Sequence, residues 1–241
     1  MRDLIFAIGF LTRLPVPVVN DPGPNAFAAA AKWFPLVGLM VGALLALCLT
    51  LGARIHPWLG ALFAIACWIW VTGGLHLDGL ADLTDALGGA HRAPEHLLRI
   101  MHDPHIGSFG TIALWLVLSA KLVLLMLLVQ VPNGTWGLLL IPAWARLGSV
   151  IWAHTLPPLG SGLGKHFGHL RRAWTWLAWI PVLGVLSWFA NPYLLGAPLI
   201  LFGWWLFLKY RVGGMSGDCL GAGIEVSETL LLVALVARTW Q

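Results

Sequence analysis

The sequence predicts an all-α fold: a polytopic integral membrane helical bundle with about seven transmembrane helices and an N-terminal interfacial or re-entrant segment, forming one domain over residues 1–241. Three observations carry this. Hydrophobic residues make up 59% of the chain and charged residues only 10%, with a mean hydropathy of +0.84; soluble domains are about a quarter charged. The apolar residues fall into runs near the ~17–25 residues that a hydrocarbon core requires. The basic residues fall on alternate connections between those runs.

In chain order, the short run Leu4 to Leu11 is followed by TRLPVP instead of a small-residue cleavage site, so it reads as an interfacial or re-entrant segment and not as a signal peptide. Seven longer runs follow, at Trp33 to Ala53, Trp58 to Leu75, Phe109 to Val131, Thr135 to Leu156, Trp174 to Ala190, Tyr193 to Leu208 and Leu220 to Arg238. The side bearing the N-terminus receives Arg2, Arg13, Lys32, Arg92, Arg99, Lys165, Arg171, Arg172, Lys209 and Arg211, whereas the other side receives Arg54 and Arg238. By the positive-inside rule the first side is cytoplasmic, which predicts a multi-pass protein of the bacterial inner membrane. In such a chain the net charge of +4 sets orientation and does not imply a nucleic-acid partner. Trp33, Trp58, Trp136, Trp174, Trp188 and Trp240 sit near span ends, where amphipathic rings prefer the interface. Three cysteines, with Cys48 and Cys67 inside apolar runs, do not form a disulfide framework.

The acids also gather on the cytoplasmic side or in the adjoining half of the last span. The densest group lies in GGLHLDGLADLTDALGG, Gly73 to Gly89. On a helix, steps of ~100° put Asp78, Asp82 and Asp85 within an arc of roughly 60°. Three carboxylates on one face repel one another unless a cation sits among them, and a hard oxygen-seeking ion such as Mg²⁺ suits that set. A solvated helix face would explain one aspartate better than three.

Two further stretches carry candidate chemistry. In IMHDPHIGSFG, Asp103 precedes a proline and so belongs to a loop. Gly107, Ser108 and Gly110 then lead into a helix start whose N–H groups suit a phosphate oxygen, although an ordinary capped loop would read the same. In GGMSGDCLGAGIE, Asp218 and Glu225 share a helical face with the small Ala222. Lys121 and Arg146 lie inside spans, where a charge costs ~2.5 kcal/mol or more, so each must face the interior and find a partner. A last helix starting near Gly217 carries Glu228 about 16 Å inward, which predicts that it neutralises one of the two. The histidines at the cytoplasmic side lack ligand spacing. His76 and His105 stand out because each lies within two residues of an acid.

With these residues the sequence resembles the cobalamin synthase family, adenosylcobinamide-GDP ribazoletransferase. The motifs that carry the resemblance are FLTRLPVP, FPLVGL, GGLHLDGLADLTDAL, IMHDPHIGSFG, a lysine and an arginine in the next two spans, and GGMSGDCLGAGIE. Gly160 to Arg172, with histidines among its glycines, is less typical. The resemblance implies a Mg²⁺-dependent enzyme that joins adenosylcobinamide-GDP to α-ribazole or its 5′-phosphate and releases GMP, in nucleotide-loop assembly of vitamin B12. Its implied site has Asp78, Asp82 and Asp85 on the metal with Asp103 or Asp218 completing the shell. Asp82, Asp85, His76 and Asp103 are the catalytic candidates, and Lys121, Arg146, Gly107, Ser108, Asp218 and Glu225 the substrate-binding ones. Association with other nucleotide-loop assembly enzymes and self-association are left open by the sequence.

Two other readings compete. A CDP-alcohol phosphotransferase uses a similar acid cluster, but its usual Ala-Arg pair is replaced here by Ala81–Asp82. A divalent-cation transporter should keep its ligands near the midplane, whereas these acids gather toward one face.

Overall fold

The computed structural model describes residues 1–19, 26–89, 94–159 and 174–237. Among them the elements are helical, with one isolated bridge pairing Pro158 and Met215. The helices are α1 (Arg2–Leu11), α2 (Ala26–Ala31), α3 (Phe34–Ala53), α4 (Pro57–Thr72), α5 (Leu75–Gly89), α6 (Pro94–Met101), α7 (Ser108–Leu128), α8 (Gly134–Thr155), α9 (Trp179–Ala190), α10 (Ala197–Phe207) and α11 (Gly217–Val236). A 3₁₀ turn, Trp174–Ala178, leads into α9; another, Pro192–Gly196, leads into α10, and a π-helical turn, Leu208–Val212, leaves it.

Among the described residues, five helical stretches are long and apolar enough to cross a membrane: Phe34–Ala53, Ser108–Leu128, Gly134–Thr155, Pro192–Val212 and Gly217–Val236. The number reaches six when α4 and α5 are taken together as one broken span, bent by 86°. This is below the expected seven, for two local reasons. The run Trp58 to Leu75 ends early because Gly73 and Gly74 adopt φ of 64° and 74°, a left-handed backbone that turns the chain out of α4. The run Trp174 to Ala190 forms a shorter apolar helix, Thr175–Ala190, in which a 3₁₀ turn leads directly into α9, just under the ~17–25 residues that a hydrocarbon core requires. The expected N-terminal segment is α1, shorter still at 10 residues. It packs through Ala7, Ile8 and Leu11, and Phe6 and Phe10 meet Phe27 edge-to-face with centroids 5.1 and 5.0 Å apart.

α8 and α11 are mostly buried and form the inner pair, while α7 and the Pro192–Val212 stretch show most of their length to the outside. Without a hydrophobic drive between helices in lipid, close packing depends on small residues. Gly38 and Gly42, one turn apart on α3, sit against the α8 backbone; a Cβ on Gly38 would come within 2.5 Å of the Ala143 Cα. Gly52 and Gly60 bring α3 and α4 together in the same way.

Candidate functional site

α5 is the arm that carries the first acid cluster, and its placement begins at the glycine elbow. The Arg13 backbone N–H donates to the Val71 carbonyl at 2.7 Å, and the Arg13 side chain fills the space beside Gly73 that any Cβ would occupy. From there α5 crosses the first turns of α11. A Cβ on Gly79 would lie 2.8 Å from the Asp218 Cα, and one on Gly221 would lie 3.3 Å from the His76 Cα. This glycine-lined crossing brings the two acid-bearing motifs together. Asp82, half-buried, stands within electrostatic reach of Asp78, Asp85 and Asp218, and His102 lies within reach of both Asp82 and Asp218. Asp78 is exposed beside them. Ser216 caps α11 by accepting from the Cys219 N–H at 3.2 Å, which orients the turn that presents Asp218.

Asp85 shares the helical face of Asp78 and Asp82 but has a different task. Its Oδ2 accepts from the Gly107 N–H at 2.7 Å and its Oδ1 from the Gly110 N–H at 2.9 Å. A carboxylate at a helix N-terminus satisfies orphan donors and faces the positive end of the dipole. So the N–H groups of Gly107 and Gly110, expected to suit a phosphate, are occupied by Asp85 from α5, while Ser108 is exposed at the start of α7. Both glycines are required, since a Cβ at either would collide with the Asp85 carboxylate. Gly110→Ala is therefore expected to part α5 from α7 and to destabilise by about 1–3 kcal/mol, the cost of overpacking. Thermal unfolding in detergent measures this, with exposed Ser108→Ala, expected within about 0.5 kcal/mol of wild type, as the control.

Asp103 is turned to its own loop. Its Oδ1 accepts from the His105 backbone N–H at 3.0 Å and pairs with the His105 ring at 2.7 Å. The His105 side chain is thereby what holds the Asp103 carboxyl below the usual carboxylate range.

Beneath the acid cluster lies a buried ionic group. Lys121 Nζ donates to Glu225 Oε2 and Glu228 Oε2, both at 2.8 Å, and lies 4.0 Å from the centre of the Trp68 ring. Arg146, fully buried, donates to Glu228 Oε1 at 2.7 Å and to the Pro142 carbonyl at 3.1 Å. Two cations thus meet two carboxylates, and Glu228 neutralises both cations where the sequence predicted one. Glu225 is drawn to Lys121, away from Asp218. His76, with 3% exposure, lies within electrostatic reach of Arg146, Glu228 and Lys121, but its ring nitrogens have no hydrogen-bond partner among the described residues. Sequence reasoning gave no prominence to His102 and Trp68. Neither is marked by spacing, and only the packing of α6 and α4 brings them in. Gly160 to Arg172 lies outside the described residues.

Among the described residues no three His, Cys, Asp or Glu side chains converge at metal-ligand distance. The donor chemistry of Asp78, Asp82 and Asp218 nonetheless suits a hard divalent cation: oxygen ligands whose like charges act on one another at the end of a membrane bundle.

The fold and this site define a helical membrane protein of the enzyme type, with an acid-rich face at one end above a neutralised charge core. The family model described as cobalamin-5-phosphate synthase matches residues 3–236. Curated relatives named adenosylcobinamide-GDP ribazoletransferase include one from Laribacter hongkongensis, 55% identical over 98% of this chain and 98% of its own length. Another, from Thiobacillus denitrificans, is 49% identical over 97% and 94% respectively, and one from Novosphingobium aromaticivorans is 44% identical over 100% and 98%. No solved structure matches the chain. The chain belongs to the cobalamin-5-phosphate synthase family of enzymes.

Proposed function

We propose that the protein joins adenosylcobinamide-GDP to α-ribazole or its 5′-phosphate with release of GMP, in a Mg²⁺-dependent reaction on the cytoplasmic face of the bacterial inner membrane. The observation that supports this best is the crossing at Gly79 and Asp218. It unites Asp78 and Asp82 with Asp218 at the basic end of the bundle. Those three carboxylates are the residues that would hold Mg²⁺, while Asp85 is already committed to α7. When bound, the ion supplies neutralisation of the charge that develops on the pyrophosphate oxygens.

The chain's own part is positioning. Asp85 fixes the angle between α5 and α7, Ser216 orients the turn carrying Asp218, and the Lys121–Glu225–Glu228–Arg146 group holds α7, α8 and α11 at the depth where α5 can cross. In the transfer, a ribazole hydroxyl attacks the cobinamide-side phosphorus. The new P–O bond forms as the bond to the GMP oxygen breaks, GMP leaves with that electron pair, and the hydroxyl's proton passes to solvent water. The midplane charges are paired with one another, which gives no support to a transporter reading.

The test is GMP release by the purified full chain from adenosylcobinamide-GDP, with and without α-ribazole, across a Mg²⁺ titration. Release that needs both α-ribazole and Mg²⁺ is expected; release without α-ribazole, or none with both substrates, would overturn the reading. Orientation is tested separately. In a cysteine-free background, a single cysteine at His105, whose side chain is 89% exposed, should label only from the cytoplasm. A cysteine at Ile55, 74% exposed in the α3–α4 connection, should label only from outside.

A further inference from the structure

Between α8, α9 and α10 runs an apolar groove of about 270 Å³, lined among others by Ile151 and Thr155 from α8, Ile180 from α9, and Pro198, Phe202 and Trp205 from α10. It opens outward, since Ile180 and Phe202 are 38% and 55% exposed. Its polar groups are already satisfied. The Thr155 hydroxyl accepts from the Trp205 indole N–H at 3.0 Å and donates to the Ile151 carbonyl at 2.7 Å, and the Trp144 indole N–H donates to Ser187 at 3.0 Å. With no unmet donor or acceptor in its walls, the groove suits an occupant that is apolar along its length. Pro198 to Trp205 spans about 10 Å of helix, the length of an extended chain of several methylenes and not of a broad ring system.

One end of this groove is charged. Lys209 Nζ lies 4.7 Å from the centre of the Trp205 ring, which itself stacks on Phe202 with centroids 5.7 Å apart. Lys209 and Arg211 are exposed on the turn that follows α10, and among the described residues neither makes an ion pair. They stand at the same end of the bundle as Asp218, which opens the next helix. An apolar slot ending in unneutralised cations at the membrane surface is complementary to a molecule with a hydrocarbon tail and an anionic head.

We propose that the α8–α9–α10 groove binds an anionic phospholipid of the surrounding bilayer. One acyl chain lies along Phe202 and Ile151, and the phosphate rests against Lys209, with Arg211 adding charge at the same end. A zwitterionic lipid would fill the slot equally well but would leave the cations without a net counter-charge, so the site selects by headgroup charge. The site lies outside the acid cluster and does not depend on the reaction proposed above.

The test uses the purified full chain exposed to equal amounts of phosphatidylglycerol and phosphatidylcholine of identical acyl composition, with retained lipid counted by native mass spectrometry. Wild type should retain phosphatidylglycerol over phosphatidylcholine by about tenfold or more, the scale set by two cations beside an anionic headgroup. Lys209→Gln with Arg211→Gln, both exposed positions, should abolish the preference. Ile151→Trp, which fills the groove and leaves the charges, should abolish retention of either lipid. Arg54→Gln, in the α3–α4 connection, should change neither result. Equal retention of the two lipids by wild type, or an undiminished preference in the Lys209 and Arg211 double variant, would overturn the proposal. So would undiminished retention by Ile151→Trp.

Discussion

Glu228→Gln is expected to reduce the yield of folded protein sharply, and more than it alters the Mg²⁺ requirement of what remains. The wild-type core holds Lys121 and Arg146 against Glu225 and Glu228, all at most 3% exposed. Glutamine keeps the shape but removes one of two negative charges, leaving two buried cations to a single carboxylate. Breaking a buried ion pair by removing one partner costs about 3–5 kcal/mol, because the surviving charge is uncompensated. That is a large share of the roughly 5–15 kcal/mol by which proteins are stable. Arg146 has no slack to offer, since its Nε and Nη2 already lack partners among the described residues. Size-exclusion yield and thermal unfolding in detergent measure the effect. Glu225→Gln, which affects Lys121 alone, should be the milder variant. Normal yield for Glu228→Gln together with a raised Mg²⁺ requirement would move Glu228 out of the structural core and into the metal site.

The second large effect is expected on turnover. Asp82→Asn preserves shape and removes one charge from the group formed with Asp78 and Asp218. GMP release should then fall by at least the ~10–100-fold that losing even an outer-shell partner of a metal ligand costs. Folded yield should be unaffected, because the residue is only half-buried and its neighbours repel it. Excess Mg²⁺ should restore part of the activity of Asp82→Asn but none of that of Asp82→Lys, which places a cation where the ion would sit. Asp85→Asn should behave differently. Its loss weakens two hydrogen bonds to the start of α7, so stability should fall along with activity. Near-normal turnover for both Asp78→Asn and Asp82→Asn, at equal amounts of folded protein, would reduce Asp78 and Asp82 to a solvated helix face.

Much of this was legible from composition and periodicity. Continuous apolar runs near the length of a membrane core read as helices, which satisfy their own backbone groups where lipid offers no water to do so. Lys121 and Arg146 had to find partners for the same reason, and the distance along the last helix pointed to Glu228. The helical arc through Asp78, Asp82 and Asp85 followed from 100° steps. Each of these inferences needs only short-range regularity or a solvation cost, and both are written in the order of residues.

What tertiary structure alone decided was the assignment of partners. Asp85 has the same helical phase as Asp78 and Asp82, yet Gly107 and Gly110, more than twenty residues on, draw it to the start of α7. Asp218 and Glu225 lie on one face of α11, but one stands at the acid cluster and the other is taken by Lys121. The elbow at Gly73 and Gly74 ended an expected span at Thr72 and sent α5 across α11. Helical periodicity specifies which side chains share a face and says nothing of which neighbour that face meets. The neighbour is set by close approach at Gly79, Gly110 and Gly221, where the absence of a Cβ lets one helix reach another.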